Sequence, residues 1–154
     1  DKGRALEVAA DTGADAMSFW AGVPKRSVNP ADARAWLLDG AAQVARRAET
    51  LGTVAALEPE PGMLIETVDD WAALGIPGLR LALDTGHCTV TIEDMKRGVH
   101  VHLPFGEGDM DVPAVLQALS SIGFQKLVCI EMSRESHRAD TIIPASLAYL
   151  RAAA

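Results

Sequence analysis

Residues 79–88 read Leu79-Arg80-Leu81-Ala82-Leu83-Asp84-Thr85-Gly86-His87-Cys88, and the reading of this stretch decides the fold. A short apolar run without clear alternation predicts a strand buried on both faces, as in a parallel sheet. The run stops at Asp84, and His87 follows three residues later. A carboxylate and an imidazole just beyond the C-terminal end of a buried strand occupy the place where α/β folds keep their chemistry. Two further apolar runs end in the same way: Thr53–Leu57 leads into Glu58-Pro59-Glu60, and Leu127–Ile130 leads into Glu131. Three strands that each deliver an acid at the carboxyl end form the main functional signal of the chain.

Composition bounds what such a chain can be. Its 154 residues are 49% hydrophobic and 23% charged, an ordinary globular make-up for one domain spanning 1–154. A net charge of −7 argues against a nucleic-acid partner, because phosphate backbones select for basic patches and the 14 basic residues are scattered. No apolar run nears the roughly 20 residues of a membrane span. Two cysteines, Cys88 and Cys129, make no disulfide framework, so a reducing cytoplasm is expected.

Outward from the central stretch, local signals place the other elements. Asp1–Thr12 reads as a helix stopped by Gly13, and Asp15–Ala21 as a strand closed by Gly22 and Pro24. Asn29 as N-cap, Pro30 at the first helical position and Asp32 in the first turn open a helix. It carries Trp36, Leu37, Ala41, Val44 and Ala48 at helical spacing as far as Leu51, and Gly52 ends it. Thr67-Val68-Asp69-Asp70 resembles a capping box for a short helix with Trp71 and Leu74. Asp111 caps a helix that Gly123 stops, and a last helix covers roughly 143–152. Helices alternating with strands predict a parallel sheet with helices packed outside it. No good helix is legible between His87 and Asp111, a polar segment of a length that usually carries function.

Each candidate group has a plainer reading beside the functional one. Glu58, Asp84 and Glu131 suit a divalent ion above the strand ends, since oxygen ligands select Mg²⁺ or Mn²⁺; alternatively, strand-end acids cap the helices that follow. Glu60 is the weaker member of its pair and is expected to face solvent. His87 is placed for a site role, the alternative being a structural histidine. His100 and His102, with Arg97, offer ligands or contacts to substrate oxygens, or simply a solvated loop. His137 and Arg134 follow Glu131 closely enough to reach the same face, with the plainer reading preferred. Cys129 reads as a small core residue, and Cys88 has no paired base that would make it a nucleophile.

With these residues in view, the chain resembles the xylose isomerase-like TIM barrels, specifically the sugar phosphate isomerase/epimerase group. The motifs are Leu57-Glu58-Pro59-Glu60-Pro61, Leu83-Asp84-Thr85-Gly86-His87, Gly106-Glu107-Gly108 with Asp111, and Ile130-Glu131. The resemblance implies a (β/α)8 barrel and one divalent metal ion (Mn, Mg, Co or Zn) held by Glu58, Asp84 and Glu131. It also implies that Glu58 and Glu131 serve as catalytic acid and base, and that His87, Arg97 and His102 bind substrate. The implied reaction moves a proton α to a carbonyl through an enediolate on a sugar, sugar phosphate or small hydroxy-ketone.

The sequence departs from the family pattern in two respects. The histidine ligand expected six residues before Arg97 falls on Thr91, which cannot replace an imidazole. The helix and strand expected between the Asp84 motif and the loop with Glu93-Asp94 have no room. The first strands of a barrel of roughly 250 residues are not legible either. The expectation is therefore either a truncated or gapped version of a longer protein, or an incomplete barrel, lacking N-terminal strands and one internal strand–helix segment, that must complete itself with a partner. Two rivals stand beside the isomerase: a non-catalytic binding or assembly protein derived from the barrel, and a metal-dependent endonuclease-like relative, against which the acidic charge and only four histidines speak.

Overall fold

Why Glu58 and Asp84 come together is decided by the pairing of three short strands. The computed structural model describes residues 2–88, 102–132 and 135–153, in two compact units, 1–97 and 98–154. The first unit runs α1 (Lys2–Thr12), β1 (Met17–Trp20), α2 (Pro30–Leu51), β2 (Ala55–Glu58), α3 (Val68–Ala72) and β3 (Arg80–Leu81). The strands form one parallel sheet in the order β1-β2-β3. Strand, helix, parallel strand is the unit from which barrels of this kind are built.

The helices form where capping chemistry dictates. The Asn29 side chain accepts the Ala31 N–H at 2.8 Å, Pro30 occupies the first turn, and Gly52 closes α2 at φ 70°, a conformation that costs glycine little. The buried residues of α2 are all alanines, Ala33, Ala41, Ala45 and Ala48, with Leu37, Leu38, Val44 and Leu51 partly buried beside them. The small alanine side chains let the helix lie close to the sheet, where Leu57, Phe19, Leu6, Ile65 and Leu79 complete the core. Trp36, expected on the core face, is instead 65% exposed, because alanines already fill the contact with the sheet. At α3 the capping box forms in both directions: the Thr67 hydroxyl accepts the Asp70 N–H, and Asp70 accepts the Thr67 N–H. The Thr67 hydroxyl is also the main reason the Asp70 carboxyl is held below its ordinary range.

Alternation along the strands separates two faces. Ala55 and Leu57 of β2 point into the core with Phe19 of β1. Ala56 and Glu58 point to the opposite face, together with their register partners Ser18 and Trp20. β3 is shorter than the run from 79 to 83 implies, and the burial expected on both faces is not met: Leu79 is buried, but Leu83 is half exposed. The chain past Leu81 nonetheless stays beside β2, with the Ala82 N–H donating to the Leu57 carbonyl at 3.0 Å.

The second unit carries α4 (Val112–Ser121), a single 3-10 turn (Ser136–Arg138) and α5 (Ala139–Ala153). Asp111 caps α4 by accepting the Ala114 N–H at 3.0 Å. Val112 and Ile142 are buried, and the buried Ser146 hydroxyl points at the Met132 sulfur at 3.5 Å. Phe105 stacks on Tyr149, with ring centroids 5.8 Å apart. Residues 127–130 form no strand, and Cys129 is exposed, contrary to the core position expected for it. Extended apolar backbone becomes a strand only against a partner, and no strand is described in this unit. Among the described residues no helix is long and apolar enough to cross a membrane.

Candidate metal and substrate site

Glu58 ends β2, and Asp84 follows β3 by three residues. Their strands are hydrogen-bonded neighbours, so both carboxylates leave the sheet at the same end. The backbone then turns through Thr85 and Gly86 and brings His87 back over the strand ends. The His87 ring, only 8% exposed, lies between the two acids: Nδ1 is 3.5 Å from Glu58 Oε1, and Nε2 is 3.5 Å from Asp84 Oδ2. Nδ1 is also 3.3 Å from the Pro59 carbonyl oxygen. A carbonyl only accepts, so Nδ1 carries the proton in that contact.

One ligand atom from each of Glu58, Asp84 and His87 lies within 4.8 Å of the others. Two carboxylate oxygens and an imidazole nitrogen fit a divalent ion of the Mn²⁺, Co²⁺ or Zn²⁺ type. Both carboxylates are largely covered, at 16–18% exposure. Asp84 Oδ1 accepts the Gly86 and His87 N–H groups at 2.7 and 3.3 Å. Beside it, burial first and the Asp84 charge second push the Cys88 thiol above its ordinary range, which leaves it a poor nucleophile at neutral pH.

The structure thus gathers Glu58, Asp84 and His87. Glu131 and His102 belong to the second unit, where Glu131 is exposed and outside any strand and His102 is half buried. Arg97, together with Thr91, Glu93, Asp94, His100 and Arg134, lies outside the described residues. Glu60 is half buried, its N–H bonded to the Ile65 carbonyl in the loop after β2.

Sequence reasoning passed over Trp20. It is the register partner of Glu58 and is 56% exposed on the same face. The available signal was its place at the carboxyl end of an apolar run, the same criterion that picked out Glu58. Trp20 also borders a cleft of about 750 Å³ with Val23, Trp36 and Leu64; none of the three clustered site residues lines it.

Parallel strand–helix units with an acid-bearing carboxyl edge define the architecture of a (β/α)8 barrel, present here in part. The xylose isomerase-like TIM barrel family matches residues 3–97, and the chain belongs to that family. No curated protein matches the chain in sequence. Among solved structures, the chain is similar to the apo form of 3-keto-D-glucoside 4-epimerase, YcjR, from E. coli. The TM-score is 0.76 at 19% identity, over 98% of this chain and 69% of that one. It is also similar to a D-tagatose 3-epimerase-like protein, with a TM-score of 0.68 at 21% identity over 97% and 68% of the two chains. The third is the TTHB071 protein from Thermus thermophilus, from a crystal soaked with ZnCl₂: TM-score 0.61, 25% identity, 99% and 66% covered. The chain therefore spans about two thirds of the length of each.

Proposed function

We propose that the chain is part of a divalent-metal-dependent isomerase or epimerase acting on a sugar or another small hydroxy-ketone. The observation that carries this reading is the convergence of Glu58, Asp84 and His87 at the carboxyl edge of a parallel sheet. The epimerase titles of two structural neighbours agree with it.

In this reading Glu58 and Asp84 hold the ion, which when bound supplies Lewis-acid polarisation of a substrate carbonyl. Glu58 removes the proton from the adjacent carbon, its carboxylate standing at the strand end beside the substrate. His87 hydrogen-bonds a substrate oxygen, its ring held in place by the Pro59 carbonyl contact at Nδ1. Trp20 offers an apolar wall on the Glu58 face against the C–H side of a sugar. Glu131 acts as further ligand and second acid/base, and Arg97 and His102 bind substrate oxygens. These last roles rest on the family resemblance alone.

The test is proton exchange. Incubated in D₂O with Mn²⁺ and a panel of ketoses and keto-glycosides, the protein is expected to incorporate deuterium at the carbon next to the carbonyl, as read by NMR. Chelation should stop incorporation and added Mn²⁺ should restore it. A sugar that binds without ever exchanging its α-proton would favour the non-catalytic binding protein instead.

A further inference from the structure

We propose that Gly86 is a positioning residue that presents Asp84 to the ion through a single oxygen, Oδ2. The inference rests on the metal-dependent reading above and concerns how the ligand is held. The two oxygens of Asp84 have different surroundings. Oδ1 accepts the Gly86 N–H at 2.7 Å and the His87 N–H at 3.3 Å. Oδ1 is thus held by two backbone donors. Oδ2 instead faces Nε2 of the His87 ring at 3.5 Å, while Glu58 Oε1 stands 3.5 Å from Nδ1 of the same ring. A carboxylate anchored by one oxygen and offered by the other is a pre-oriented ligand, and hydrogen bonds behind a metal ligand commonly set its affinity.

Glycine is required here for space and not for backbone freedom. Gly86 is absent from the glycines with positive φ, so any residue could adopt its conformation. A Cβ built on it, however, would stand 3.1 Å from Asp84 Oδ1, so that its neighbour must give by a few tenths of an ångström. The oxygen that would have to move is the one that anchors the ligand. An alanine therefore perturbs the direction of Oδ2 while leaving the fold intact. At an ordinary φ, alanine for glycine even stabilises slightly, by restricting the unfolded chain.

These two consequences have opposite signs, which makes the experiment decisive. Co²⁺ is titrated calorimetrically into wild type, Gly86→Ala and Asp84→Ala, with the visible Co²⁺ absorption recorded at saturation and the thermal midpoint of each metal-free protein measured. Gly86→Ala is expected to keep or raise the midpoint, to bind Co²⁺ about 10- to 100-fold more weakly, and to show altered absorption intensity even when saturated. Unchanged affinity and spectrum in Gly86→Ala, with Co²⁺ binding lost in Asp84→Ala, would overturn the positioning role and leave the metal-dependent reading standing. Unchanged binding in Asp84→Ala would remove both.

Discussion

Replacing Glu58 with Gln lowers the rate of α-proton exchange by about 10²–10⁴-fold, the usual contribution of a positioned general base. The substitution preserves the volume and shape of the side chain and removes only its charge and basicity. Glu58 is the last residue of β2, and the strand fixes where its carboxylate starts. Its register partner Trp20 and its ring neighbour His87 remain in place to receive a substrate. Substrate affinity should therefore change far less than turnover. Because Glu58 is also assigned as a ligand, exchange has to be measured at saturating Mn²⁺, so that loss of the ion is not mistaken for loss of the base. A Glu58→Gln protein that exchanged at the wild-type rate under those conditions would remove Glu58 from the chemistry.

Leu57→Ala is expected to destabilise the fold by about 2–5 kcal/mol, the range for deleting a fully buried leucine side chain without complete collapse of the site. Leu57 has no exposed surface, sits on the middle strand of the sheet and faces the alanine stripe of α2. The alanines of that stripe are too short to fill the space left behind. The urea midpoint should fall at unchanged slope, and divalent-ion binding should weaken only at urea concentrations where the variant begins to unfold. A loss of less than about 1 kcal/mol would mean that the sheet–helix contact relaxes freely, and that β2 is a less rigid support for Glu58 than its burial implies.

What could be read from sequence alone follows the range of the forces involved. α2 was legible almost to the residue because Asn29, Pro30 and Gly52 act on backbone groups within a turn of themselves. The capping box of Thr67 and Asp70 was legible for the same reason. Strand-end acids were visible as a pattern, and two of them, Glu58 and Asp84, do meet, with His87 between them. What sequence could not supply was pairing. The register that sets Trp20 beside Glu58 depends on residues nearly forty positions apart. The run 127–130 has strand-like composition, yet it forms no strand among the described residues, and Cys129 is exposed with it. The Pro59 carbonyl that orients His87 leaves no trace in residue types, since every residue carries one.

Whether Glu58 and Asp84 hold a divalent ion is tested most directly by calorimetric titration of the purified protein with Mn²⁺ and Co²⁺. The predicted result is one ion bound per chain, with binding abolished in the Asp84→Ala, Glu58→Ala double variant. A protein that takes up no divalent ion, or one whose binding survives the loss of both carboxylates, would contradict it.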